Sequence, residues 1–391
     1  MTKIAYTSET RLRAVSIALA LAVVLVPAVV GTKSAEPQTF KVLYKFKGGS
    51  DGGHPFAALI RDAAGNLYGT TRYGGAHGFG TVFKLSNAGK ETVLYSFARH
   101  GDGAYPMADL VRDANGNLYG TTNEGGASGN GILFELDKTG KETVLHSFCS
   151  ETGCTDGANP QAGLVRDASG NLYGTTSNSG PGYGTVFMLD TSGNETVLYD
   201  FGGNSDGANP VADLVRDAAG NLYGTTYYGN SGTVFEVDKD GNHTVLYGFS
   251  GGADGGNPAA GLVRDASGNL YGTTRYGGQY DSGTVFELAS ADRETVLHSF
   301  GSQGDGAYSV GGLVRDAAGN LYGTTGWGGA YGYGTVFKLS KAGKETVLHS
   351  FAGSDGKFPY AALVRDAKGN LYGTTYAGGA SGRGTVFKLT P

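Results

Sequence analysis

The hydrophobic and polar positions of this chain recur in one fixed order. An apolar run of the Leu-Val-Arg-Asp kind enters a polar turn, and Asn-Leu-Tyr-Gly-Thr-Thr follows. A glycine-rich stretch then leads to a second apolar run, Gly-Thr-Val-Phe, a tight polar turn, and a third run, Thr-Val-Leu-x-x-Phe. Between residues 101 and 150 this order predicts strands at 109–113, 117–122, 132–136 and 142–148. Val, Thr, Tyr and Phe suit a pleated surface, and the glycine clusters between them suit turns. Period-two alternation is clearest in the last run, with Val144, His146 and Phe148 on one face and Leu145 and Ser147 on the other. No helical pattern follows residue 35.

The motif Gly-Asn-Leu-Tyr-Gly-Thr-Thr begins at Gly65, Gly116, Gly170, Gly220, Gly268, Gly319 and Gly369, with starts 48 to 54 residues apart. A period of this size means supersecondary units that bury their faces on one another. Four strands in such a period make one propeller blade, so the expected fold is all-β: a seven-bladed β-propeller of four-stranded blades. The fourth-strand pattern starts at Thr92, Thr143, Thr196, Thr244, Thr295 and Thr346, once fewer than the other strands. Its missing copy is Lys41-Val-Leu-Tyr-Lys-Phe46, at the N-terminal end. That strand is expected to complete the last blade and close the ring, which removes open sheet edges.

Composition refines this picture. The 391 residues include 70 Gly, 24 Tyr and 18 Phe, enough apolar area for a glycine-turned β array. Residues 1–35 carry Lys3, Arg11 and Arg13, then an apolar stretch at 14–30, then small polar residues. This is the pattern of a signal peptide, with cleavage expected near Ala35 and an uncleaved anchor as the alternative. The expected domain is therefore 36–391, exported to the periplasm, cell surface or exterior, a monomer with no transmembrane segment after cleavage. Its net charge, −5 for the whole chain, becomes more acidic once the basic leader is removed. Without a basic stripe, nucleic acid is excluded as a partner and an anionic membrane surface is disfavoured. Cys149 and Cys154 are the only cysteines and share one loop. In an exported chain they read as a local disulfide rather than a redox pair, which would favour Cys-x-x-Cys at a helix start.

The sequence Leu-Val-Arg-Asp-Ala-x-Gly-Asn-Leu-Tyr-Gly-Thr-Thr, followed by Gly-Thr-Val-Phe, resembles the GloVer tandem-repeat family of exported bacterial proteins. The resemblance spans about residues 40–391. It implies no activity. The Asp-x-x-Gly-Asn-hydrophobic-Tyr turn is also similar to that of NHL-type propeller repeats, a likeness of fold only.

Repetition sorts positions into scaffold and candidate site. The Arg-Asp pairs from Arg61-Asp62 to Arg365-Asp366 recur in every unit, and each Asp is placed to accept turn N–H groups. The Asp-Gly turns at Asp51, Asp102, Asp156, Asp206, Asp254, Asp305 and Asp355 lack calcium-loop spacing, so no metal is expected. The histidines form no cluster. His146, His298 and His349 are expected on the surface of outer strands. Hydrolase, zinc and phosphate-loop signatures are absent, so neither catalytic residues nor a cofactor are assigned.

The loops between second and third strands differ most from unit to unit. Candidate ligand-binding residues there are Tyr73, His77, Phe79, Tyr183, Tyr227, Tyr228, Arg275, Tyr276, Tyr280, Trp327, Tyr331, Tyr333, Tyr376 and Arg383. Aromatic rings among glycines suit flat polar ligands such as sugars or peptide segments. The expected function is a rigid binding scaffold for a glycan or protein. Two alternatives remain: a propeller lyase or lactonase with a site at the channel mouth, and a purely structural surface component. An enzyme would require one or two blades to break the repeat with convergent titratable groups.

Overall fold

The computed structural model describes residues 38–179, 182–289, 293–301 and 304–391. The leader at 1–35 lies outside them, and the propeller belongs to a unit spanning Pro37–Pro391. Seven four-stranded antiparallel sheets form the blades of a β-propeller. In blade one the strands, from the axis outward, are Ile60–Arg61, Leu67–Thr71, Thr81–Leu85 and Glu91–Ser96. The first strand is only two residues long in every blade, so most of the 109–113 run is extended chain rather than ladder. In blade seven the strand Thr39–Lys45 pairs with Thr385–Thr390, so the N-terminal segment closes the ring as expected.

The core lies between blades, not within them. Tyr68, Val82 and Phe97 of blade one pack on Leu110, Leu118, Ile132 and Phe134 of blade two, and the arrangement recurs around the ring. At each junction two Phe rings meet edge to face, as in Phe97–Phe134 at 5.2 Å. Phe46–Phe83, also at 5.2 Å, makes the closing junction with the N-terminal strand. The motif glycine is a packing requirement: a Cβ on Gly120 would lie 2.9 Å from both Leu110 Cδ2 and Phe134 Cζ.

One expectation fails in detail. In every fourth strand a β-bulge breaks the register, between Leu133 and Phe134 in blade two. The alternation shifts there. Leu145 packs on the core, whereas Val144 is 37% exposed.

The repeated charges are scaffold. Each Arg lies over the Tyr ring of the preceding blade, from Arg112 on Tyr68 at 5.8 Å to Arg61 on Tyr372 at 5.7 Å. Asp62 accepts from the N–H and side chain of Asn66 and from the Tyr68 hydroxyl. The Asp of each Asp-Gly turn accepts from the outer strand just before it, as Asp102 does from Tyr95 and the Ala98 N–H. The histidines expected on the surface are instead half-buried in these turns. His146 meets Asp156 at 3.2 Å and His349 meets Asp355 at 2.8 Å, replacing the Tyr of other blades. Burial lowers the pKa of both imidazoles, and the neighbouring carboxylates oppose that effect. Cys149 and Cys154 are disulfide-bonded. Among the described residues no helix is long and apolar enough to cross a membrane.

Candidate functional site

Two long loops of each blade meet on one face. The loop leading into the first strand bridges the loop between second and third strands, as in Ala208 with Tyr228 and Gly256 with Tyr276. Where they meet the axis, a basin of about 490 Å³ opens. It is lined by Phe56, Gln161, Ser177, Asn178, Asn209, Val211, Tyr227, Tyr228, Ala259, Arg275, Val310 and Tyr360. Below it an axial cavity of about 280 Å³ shares Phe56, Gln161, Val211, Ala259, Val310 and Tyr360.

The lining has a local cause. Each chain enters its first strand as Pro-x-Ala-x-Leu, with Ser-Val-Gly-Gly-Leu in blade six. Extended chain alternates its side chains, so the two variable positions face the axis while Ala and Leu face the blade. Leu110, Leu164 and Leu214 are accordingly core residues. The upper variable position is Phe56, Met107, Gln161, Val211, Ala259, Val310 or Tyr360. The residue after Thr-Thr adds a second variable ring: Arg72, Asn123, Ser177, Tyr227, Arg275, Gly326 and Tyr376. Ser309, where other blades have Pro, is buried, and its hydroxyl donates to the Thr324 carbonyl at 2.9 Å.

The basin is two-sided. Phe56 and Tyr360, 5.7 Å apart, form an aromatic wall with Val310 and Ala259 beside it. Opposite stand the amides of Gln161, Asn178 and Asn209. The Gln161 amide donates to Ser177 Oγ at 3.1 Å, and Asn209 donates to the Ser177 carbonyl at 2.7 Å. Among the described residues Arg275 is the one charged residue in the lining. Its Nη1 donates to the Tyr227 hydroxyl at 3.3 Å, and its guanidinium lies 5.2 Å from the centre of the Tyr276 ring. Burial raises the pKa of the Tyr227 and Tyr360 phenols, and the Arg275 charge opposes that rise in both.

The lower variable position is Ala58, Asp109, Gly163, Asp213, Gly261, Gly312 or Ala362. Only two blades place a carboxyl in the channel, and the two meet. Asp109 and Asp213 are hydrogen-bonded to each other. Asp109 accepts from the Ala58 N–H, and Asp213 from the Gly163 N–H, each at 2.5 Å. Gly163 leaves them room: a Cβ there would lie 2.9 Å from Asp109 Cβ and 3.0 Å from Asp213 Oδ1. Burial, and then the charge of Asp213, push the Asp109 carboxyl well above the ordinary range. Burial raises the Asp213 carboxyl as well, and the pair shares one proton because two adjacent buried carboxylates do not both ionise. Among the described residues no group of three or more His, Cys, Asp or Glu is placed to hold a metal ion.

Of the loop candidates, Tyr227, Tyr228 and Arg275 line the basin. Tyr376 stands just outside, 5.7 Å from Tyr360 and 6.2 Å from Phe56. Tyr276 carries the Arg275 guanidinium and meets Tyr308 at 5.6 Å. The others belong to the rim. Tyr73 and Phe79 pack on Tyr105, and Arg383 meets His54 Nε2 at 3.0 Å. Tyr333 lies under Lys357 at 4.0 Å, and Trp327 packs on Phe358 at 4.5 Å. His77, Tyr183, Tyr280 and Tyr331 are exposed. The sequence reading passed over Phe56, Gln161, Asn178, Tyr360 and the Asp109–Asp213 pair. For all but Asn178, which lies in a loop after Thr-Thr, the signal was the variation inside the Pro-x-Ala-x-Leu frame.

Solved structures of similar fold include virginiamycin B lyase from Staphylococcus aureus. It is 12% identical, with a TM-score of 0.60 over 90% of this chain and 99% of that one. The extracellular domain of a proposed one-component system from B. thetaiotaomicron is 11% identical, with a TM-score of 0.56 over 90% of this chain and 39% of that one. A proposed 6-phosphogluconolactonase from Bacteroides uniformis is 18% identical, with a TM-score of 0.51 over 82% and 89%. At these identities the likeness is one of fold. No curated protein matches the sequence. The model of the Gloeobacter/Verrucomicrobia repeat matches residues 30–155, 152–317 and 229–391, and the chain therefore belongs to that repeat family.

Proposed function

We propose that the protein is an exported binding module whose ligand sits in the basin at the channel mouth, not across the outer rim of tyrosines. One observation carries this reading: inside the constant Pro-x-Ala-x-Leu frame that enters each blade, the positions facing the basin diverge. Seven equal blades need no such divergence for stability, whereas a site for one ligand does. The aromatic wall and facing amides suit a glycan or a short polar segment. The leader and the disulfide support export, and amino-terminal sequencing of the secreted form is expected to start near residue 36.

The test is a glycan panel on the purified protein with Tyr360→Ala, Tyr227→Ala and Trp327→Ala. Basin variants are expected to lose binding and Trp327→Ala to keep it. Loss in Trp327→Ala alone would move the ligand to the rim. A second reading is favoured by the Asp109–Asp213 pair, an acid and a base side by side in the channel. It would make the protein a propeller enzyme, as the lyase and the proposed lactonase of similar fold are described. Turnover of a lactone or glycoside probe that Asp213→Asn abolishes, without loss of fold, would establish it.

A further inference from the structure

The basin contains a cation without a counter-ion. Among the described residues Arg275 forms no ion pair. Its Nη1 serves the Tyr227 hydroxyl, and its Nε is buried with no hydrogen-bond partner. A guanidinium offers five donors in a fixed fork, and buried donors without acceptors cost free energy. This Arg is unlike the seven of the repeat, each of which lies over a tyrosine of the blade before it. Blade one has Arg72 at this position, also with an unpartnered Nε, but Asn123, Ser177, Tyr227, Gly326 and Tyr376 hold it elsewhere. The fold therefore does not require an arginine there, and of the two it is Arg275 that lines the basin. A ligand group that answers it is an anion.

The other lining groups narrow the choice. A single cation matches one negative charge, whereas a phosphate monoester dianion would leave a charge unpaired in a half-buried site. The Phe56–Tyr360 wall asks for an apolar ring face. The amides of Gln161 and Asn178 ask for hydroxyls, which a benzoate-like acid lacks and would leave unmatched. We propose that the basin takes a hexuronate, a pyranose bearing one carboxylate, with the carboxylate forked on Arg275 and the ring face on Phe56 and Tyr360. This rests on the basin being the binding site. It is distinct from that reading because it names the charge of the ligand and the residue that selects it.

Methyl esterification separates the two, since it removes the charge and keeps the sugar. Titration calorimetry would compare trigalacturonate, its methyl ester and neutral galactose oligomers against the purified protein, Arg275→Gln and Tyr360→Ala. Folding of each variant would be checked by its melting transition. The acid is expected to bind at least about tenfold more tightly than the ester, as a charge-assisted fork implies. Arg275→Gln should erase that preference, and Tyr360→Ala should weaken acid and ester together. Equal binding of acid and ester, or of neutral oligomers alone with loss in Tyr360→Ala, would overturn the charge assignment and leave the basin as the binding site. Silence of all these probes would overturn the hexuronate. A ligand from a wider glycan panel lost in Tyr360→Ala would then still uphold the basin.

Discussion

A ring of glutamates between the blades makes stability depend on pH in an unusual direction. Glu91, Glu142, Glu195, Glu294 and Glu345 each stand at the start of a fourth strand, as its first residue or, for Glu294, its second, and each has Oε1 buried without a hydrogen-bond partner. Each also faces a turn carboxylate: Asp51, Asp102, Asp156, Asp254 or Asp305 respectively. Glu195 additionally feels Glu151, and only Glu91 has an opposing cation, Lys47. In blades four and seven the slot holds a ring instead, His243 on Tyr199 at 4.0 Å and Phe40 on His349 at 3.6 Å. Burial first, and the Asp charge second, raise all five carboxyls from 4.5 to about 7.

The folded state thus prefers these groups protonated. Their contribution is complete below the unfolded pKa of 4.5 and is lost as pH rises through about 7. A rise of that size corresponds to roughly 3 kcal/mol per group at about 1.4 kcal/mol per pKa unit. The carboxyls are only half-buried, and solvent screening reduces this to about 1 kcal/mol each. Glu345→Gln keeps the shape and cannot ionise. Urea denaturation at pH 4.5, 6, 7.5 and 8.5 is expected to show the parent losing stability across this range. The variant should match it at pH 4.5 and exceed it by about 1 kcal/mol at pH 8.5. Parallel profiles for parent and variant, or a parent that gains stability from pH 5 to 8, would refute the reasoning.

The turn carboxylates set the acid limb. Burial opposes ionisation of Asp62, Asp167 and Asp316, but hydrogen bonds from the following Asn and Tyr outweigh it and hold them below the ordinary range. Stability should fall as pH drops below about 4, and Asp316→Asn should flatten that fall in acid titrations followed by circular dichroism. Phe46→Ala, which empties the closing junction, should cost about 3–5 kcal/mol in chemical denaturation, and an unchanged midpoint would mean the ring closes without it. Asp213→Ala strands the Gly163 N–H and Asp109 and should cost about 1–3 kcal/mol. Asp109→Asn can still accept from Ala58 and donate to Asp213, so its melting curve should stay close to that of the parent. Replacing Cys149 and Cys154 by Ser should cost about 2 kcal/mol, because the closed loop is short, and reductant should then have no effect on the variant.

Sequence alone determined the blade count, the strand order and the closing strand, because each follows from local repetition. A Gly-Asn-Leu-Tyr turn or a Thr-Val-Phe strand is specified within a few residues, and seven copies leave little choice of architecture. It also separated scaffold from variation: the shared Arg side chains proved to be blade-to-blade contacts and the shared Asp side chains turn acceptors within each blade. What it did not contain was distance around and across the axis. Phe56 and Tyr360 are 304 residues apart in the chain and 5.7 Å apart in the basin. Asp109 and Asp213 sit in blades two and four, and only ring closure around a glycine brings their carboxyls together. The variable tyrosines stood out in the sequence because they lie in long loops. Most of them are rim, since loop tips project outward while the short Pro-x-Ala-x-Leu segments turn inward. Alternation along one extended segment fixes which residues face the axis, but the tertiary ring decides which of them meet.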